Sequence, residues 1–352
     1  TTCAPERSSR RMARRASRRV GARGVNDPTE TEQGDMVMQA MGGGARRMTI
    51  GAVHAGAVQA PARVLLYGPE KVGKTTFAAR APGVVFVGTE DGFGPLLNVP
   101  RFPEPRAWAE VLEALRALET DAHEFRTVVL DTVDWLEPLC WRHVCEQARK
   151  PDIEAFGYGK GYVAALDEWR RLLAALERVR AAKRMHVVLL AHAQIKPYRN
   201  PEGDDYDRFT LKLHEKAAGL LKEWSDAVLF ANYAGVVVDK TQGGKGKAIG
   251  TPTRTLFTSR RAAFDAGNRY GLPDTLPLEW AAFEAAALAP KDPAELVRQI
   301  HELATRVAPE TAESARAFAA ANGTDVPRLL AALNRLRSLA ESQDAAASNP
   351  TE

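Results

Sequence analysis

Nine residues carry the most specific chemistry in this chain. Gly68-Pro69-Glu70-Lys71-Val72-Gly73-Lys74-Thr75, followed by Thr76, has the spacing G-x-x-x-x-G-K-[ST]. Glycines at its two ends let backbone N–H groups curl around a phosphate. Lys74 is placed to reach β- and γ-phosphate oxygens, and the Thr75 hydroxyl to ligate Mg²⁺. Further along, "TVVLD" ends an apolar run in Asp131, an acid suited to hold the same ion through water. Thr132 follows, where many nucleotide hydrolases carry a catalytic glutamate. The group that polarises the attacking water must then lie elsewhere. Glu90, just past a second apolar run, is the candidate, with Asp91 and Asp134 as competitors. "LLAHAQI" sets His192 and Gln194 at the end of another run, where polar side chains can touch a γ-phosphate and report its loss.

These residues need a scaffold that brings strand ends together. Short β-branched runs at 62–67, 83–88, 126–131, 186–192 and 226–233 alternate with amphipathic stretches at 106–119 and 163–184. That alternation predicts an α/β fold, a mostly parallel sheet covered by helices, whose strand ends converge on a ligand crevice. The helix after the phosphate loop is expected to stop at Pro82-Gly83. "VVVDK" and "RTLFTSR" flank "TQGGKGK" (241–247) and read as a hairpin. Residues 266–280 hold too much Gly and Pro for regular structure, and three Ala-rich helices are expected at about 292–307, 310–321 and 325–341. The expected organisation is an N-terminal segment (1–47) that is not packed, a core (48–287), a helical appendage (288–342) and a polar tail (343–352).

Charge is distributed unevenly. Residues 1–23 hold eight arginines against Glu6, a net of +7, so the rest of the chain sums to −3 within the total of +4. The overall basicity therefore gives no argument that the core binds nucleic acid. Three readings of the N-terminus stay open: a basic arm touching phosphates, a transit-like segment, or sequence upstream of the native start. No apolar run approaches membrane-spanning length. The three cysteines (Cys3, Cys140 and Cys145) are too few and wrongly spaced for a disulfide framework or a zinc site.

The ordered set "LLYGPEKVGKTTFA", "TEDGFGPL", "VVLDTVDWLEPLCW", "GYGKGY", "LLAHAQIKPY", "WSDAVLFANY" and "NRYGLP" resembles the RecA/KaiC-like branch of P-loop ATPases. Within it, the set is similar to phage-encoded nucleotide-binding proteins grouped with single-strand annealing recombinases. The resemblance spans about residues 62–280. It implies a RecA-like P-loop NTPase core, ATP and Mg²⁺ as cofactors, and a catalytic glutamate after the second strand, which is Glu90. It implies two loops contacting single-stranded DNA, 150–162 and 195–216. Their candidates are Tyr158, Lys160, Lys196, Tyr198, Arg199, Arg208 and Lys212, with Tyr162 and Tyr206 as further stacking faces. The acids Glu202, Asp204, Asp205 and Asp207 in the second loop oppose phosphate binding. It also implies a homo-oligomeric ring or filament in which basic residues complete a neighbour's site, with Lys245, Lys247 and Arg254 as candidates. Partners from phage replication or recombination and a location in the host cytoplasm follow from the same likeness.

The function expected on these grounds is a DNA-stimulated ATPase acting on single-stranded DNA in annealing or strand exchange. Two alternatives stay open. One is a ring-forming helicase or loader-like motor, and the other a nucleotide-switched scaffold without catalysis.

Overall fold

The apolar runs become the centre of one sheet. The protein is described here from a computed structural model, which covers residues 49–50, 53, 60–88, 98–234, 237–239, 247–249 and 253–347. Thr1–Val58 and Gln59–Glu352 are separate units, and the sheet with its helices belongs to the second. Five strands run parallel: β1 (Arg63–Gly68), β2 (Val84–Gly88), β3 (Thr127–Asp131), β4 (His186–Tyr198) and β6 (Ala227–Tyr233). Their order is β6-β1-β4-β3-β2. The order places β4 between β1 and β3, and the mostly parallel sheet is the one expected from the sequence. Residues of β1 alternate between two cores, as a strand covered on both faces must. Leu65 and Tyr67 join one cluster, and Val64 and Leu66 the other.

Helices cover both faces. The larger core packs under α2 (Trp108–Thr120), α3 (Val133–Gln147), α4 (Lys160–Lys183) and α5 (Glu215–Trp224). Trp108 and Trp169 meet there edge to face at 5.4 Å. The smaller core gathers Phe77 from α1 (Lys74–Ala78) with Trp280 and Phe283 from α6 (Trp280–Ala287). Cys140 and Cys145 are buried free thiols on α3.

Several expectations are corrected. The helix after the phosphate loop ends at Ala78, and Ala79–Ala81 continue through short-range turns (Arg80 N–H to Phe77 O, Ala81 N–H to Ala78 O). Pro82 disfavours the α conformation for the residue before it. The apolar strand ending near His192 continues to Tyr198 and turns back as β5 (Tyr206–Leu211), so the expected loop 195–216 is an antiparallel hairpin. The hairpin around 241–247 pairs differently. Of its strands, β7 (Val237–Asp239) meets β8 (Lys247–Ile249), whereas β9 (Arg254–Phe257) extends the main sheet beside β6. The Gly/Pro-rich stretch 266–280 contributes two short strands, β10 (Gly267–Asn268) against β6 and β11 (Thr275–Pro277) against β9.

Three C-terminal helices stand where they are expected, α7 (Pro293–Leu303), α8 (Pro309–Ala321) and α9 (Val326–Ala347), but α7 ends short of 307 and α9 runs on through the start of the expected 343–352 tail. They build their own cluster from Leu296, Ile300, Ala319, Leu329, Leu333 and Leu336. Asn334 Nδ2 donates to the carbonyls of Gly271 and Leu272, which ties α9 to the sheet. Among the described residues no helix is long and apolar enough to cross a membrane.

Candidate nucleotide-binding site

The ends of β1, β2 and β3 meet the middle of β4 at one place. Gly68, closing β1, is in register with His192 of β4, and Gly88, closing β2, with Asp131 of β3. The loop leaving Gly68 therefore starts beside His192. Gly68 is required for packing: a Cβ there would lie 2.2 Å from the Ala231 carbonyl oxygen on β6. Gly73 is required for conformation, because it closes the loop at φ +112°. Lys71 also adopts a positive φ, 61°, so successive N–H groups turn toward a common point.

Lys74 is 5% exposed, and its Nζ donates to the carbonyls of Gly68 (3.1 Å) and Pro69 (2.9 Å). The loop thus holds an ammonium in its own curl, where phosphate oxygens are stronger acceptors. Thr75 Oγ1 donates to Asp131 Oδ2 at 2.8 Å. Two residues 56 apart in sequence are thereby joined at the base of the loop. The Asp131–Thr132 peptide is cis.

The Thr75–Asp131 pair suits Mg²⁺, a hard cation that prefers oxygen donors and a few protein ligands. Among the described residues no group of three or more His, Cys, Asp or Glu could hold a metal by itself, so the pair would share the ion with phosphate oxygens.

His192 is 8% exposed and is gripped by Asp134 on α3. Its backbone N–H donates to Asp134 Oδ1 at 2.9 Å, and its Nδ1 lies 2.8 Å from Oδ2. Burial pushes the Asp134 carboxyl up, but its bonds and charge interaction with His192, with a further bond from Thr132, outweigh this and leave it below the ordinary value. An ionised Asp134 only accepts, so Nδ1 carries the proton. Asp134, a competitor of Glu90, is thus committed to orienting His192. Gln194 Nε2 donates to Leu211 O at 2.9 Å, across the hairpin. Glu90 and Asp91 lie outside the described residues; the strand leading to them ends at Gly88, beside Asp131.

One turn beyond Asp134, Glu137 accepts the His214 backbone N–H with both oxygens (3.1 and 3.0 Å). Burial pushes its carboxyl up to about 7, with the Asp134 charge adding to the rise. His214 stacks on Tyr162 at 4.1 Å, and Trp141 meets Tyr162 edge to face. Sequence reasoning missed this link. Its signal is two acids, Asp134 and Glu137, three residues apart in the otherwise apolar first half of a helix that follows the metal-side aspartate.

The DNA candidates fall into two groups. Tyr158 is fully exposed, at φ +51°, before α4, and Lys160 opens that helix on the surface. Lys196, Arg199 and Lys212 are exposed on or beside the hairpin, whose Tyr198 and Tyr206 rings stand 5.2 Å apart. Arg208 departs from expectation. It is 6% exposed, donates to Asp265 Oδ1 at 2.7 Å and stacks over Tyr198. Burial and an ion pair take it away from phosphate.

Of the residues expected to serve a neighbouring subunit, Lys245 lies outside the described residues, as does the side chain of Lys247. Arg254 opens β9 opposite Tyr233. Its Nη1 lies 3.1 Å from where a Cβ of Gly73 would stand, against the phosphate loop of its own chain.

No curated protein matches the chain. Among solved structures it is similar to the crystal structure of the RadB recombinase, at 18% identity and a TM-score of 0.35, over 58% of this chain and 84% of that one. Residues 60–270, more than half the chain and the stretch that contains Gly68, Gly88, Asp131 and His192, match the AAA domain family, and the chain belongs to that family.

Proposed function

We propose that this protein binds ATP with Mg²⁺ at the 68–76 loop, hydrolyses it, and uses the cycle to act on single-stranded DNA in recombination or replication, as a phage-type ATPase of the RecA-like branch. The observation that carries the reading is the Thr75–Asp131 hydrogen bond at the base of a loop enclosing Lys74. Asp131, 56 residues further along the chain, meets the adjacent Lys74-Thr75 pair where a triphosphate and its cation need them.

Each residue then has a task. Lys74 offers its charge to β- and γ-phosphate oxygens in place of the loop carbonyls. Thr75 and Asp131 would hold Mg²⁺, which when bound neutralises and orients phosphate oxygens. Glu90 polarises the attacking water. His192, held by Asp134, and Gln194, bonded across the hairpin, link the phosphate edge to β4 and β5. Tyr158, Lys160, Lys196, Tyr198, Arg199 and Lys212 give stacking faces and cations to a single strand. In this reading the chain works as a ring or filament of identical subunits.

The test is ATP hydrolysis by the full chain with and without single-stranded DNA, beside Lys74→Ala. Expected is turnover that DNA raises and Lys74→Ala abolishes. Tight ATP binding without turnover or any response to DNA would replace this reading with a nucleotide-switched scaffold.

A further inference from the structure

We propose that Arg254 is a phosphate-binding residue of its own chain's nucleotide site, contacting the polyphosphate of the nucleotide held in the 68–76 loop. The proposal rests on the ATP-binding reading above and adds to it a cation supplied in cis.

Three observations carry it. Arg254 Nη1 approaches the Gly73 Cβ position to 3.1 Å, and its Cδ to 3.7 Å, so the guanidinium lies along the outer wall of the loop. The position is fixed by backbone: Arg254 pairs with Tyr233 at the end of β6, and its carbonyl accepts the Leu278 N–H at 3.4 Å. Leu278 Cδ2 is 3.6 Å from the same Gly73 position and closes the wall behind it. Finally, the Arg254 guanidinium pairs with no carboxylate among the described residues, whereas Arg63, Arg208 and Arg269 of the same sheet region all do. A guanidinium held against a phosphate loop, with no acid among the described residues to neutralise it, is a ready bidentate donor to phosphate oxygens.

The loop also has need of it. Helix α1 spans five residues, so few aligned peptide dipoles stand behind the loop, and side-chain cations carry more of the field there. Lys74 supplies one such charge from inside the curl, and Arg254 supplies a second from outside.

Position in cis or in trans is decided by subunit mixing. Mg-ATP, AMP and adenosine binding would be measured calorimetrically for the parent chain, Arg254→Gln and Arg254→Lys, at several salt concentrations. Hydrolysis would be measured for Lys74→Ala and Arg254→Gln alone and mixed in equal amounts. Expected is a loss of Mg-ATP affinity of roughly tenfold to a hundredfold in Arg254→Gln, the range of a charge-assisted hydrogen bond. Arg254→Lys should lose less, adenosine binding should stay unchanged, and the salt dependence of ATP binding should become shallower. The mixture should stay as inactive as its components, because each site lacks its own cation. Recovered turnover in the mixture would show that Arg254 serves a neighbour and would overturn the proposal. So would parental Mg-ATP affinity in Arg254→Gln, or an equal loss for adenosine, which marks a merely structural role. A parent chain that binds no ATP at all would bring down the ATP-binding reading, and this proposal with it.

Discussion

Single atoms decide much at the nucleotide edge. Gly68→Ala would drive a methyl group into a backbone carbonyl 2.2 Å away. The expected cost is about 1–3 kcal/mol of stability, read by chemical denaturation, with loss of ATP binding as the loop shifts. Glu90→Gln should leave ATP binding intact and lower turnover by roughly 10²–10⁴-fold, the usual worth of a general base; unchanged turnover would assign the base elsewhere. Glu137 makes a pH prediction. Its folded value near 7 lies above the ordinary glutamate value of about 4.3, so between those values the folded state binds more protons than the unfolded one. Stability should therefore be fully present below about pH 4.3 from this group, and fall as pH rises toward 7, by on the order of 3 kcal/mol. Glu137→Gln keeps an acceptor for the His214 N–H and should flatten that slope in urea titrations across the window.

Elements show how far the sequence could be read. The parallel strands and the phosphate loop were legible because β-branched runs and a Gly-x-x-x-x-Gly-Lys-Thr spacing are local signals. The pairing of β9 was not. "RTLFTSR" looks like a hairpin strand from its neighbours, and only the close packing of Phe257, Phe264 and Phe230 explains why it joins the main sheet. The same limit hid the approach of Arg254 to Gly73 of its own chain, which arises across 181 positions. Arg208 misled because its partner, Asp265, lies 57 residues away. The 195–216 loop comes from the resemblance, and the antiparallel pairing that makes it a hairpin was not legible because mixed polar and apolar residues flank the "RNPEGDD" turn. Since the turn of that hairpin (199–205) is exposed and acidic, shortening it to an Asn-Gly turn should leave DNA-free ATP hydrolysis unchanged. The DNA stimulation should fall with Arg199 removed, as measured by turnover at rising DNA concentration.

At the scale of the molecule, the appendage has its own core and meets the sheet's 266–280 stretch through the Asn334 hydrogen bonds and the Leu330 side chain against Gly271. Leu333→Ala, at a site 1% exposed, should cost about 2–5 kcal/mol within that core. It should separate a low-temperature calorimetric transition from the main one while ATP binding survives; a single shifted transition would show that appendage and sheet unfold together. The strand β4 has a different consequence. Its first half is wedged between β1 and β3, and its second half stands out as the β4–β5 hairpin, all in one uninterrupted strand. From His192 to Tyr198 it spans roughly 20 Å at the usual rise per residue. Such a strand is a lever arm without a joint: a tilt imposed at its root by the nucleotide is delivered at its tip with little compliance on the way, and a load pulling on the tip is felt at the root.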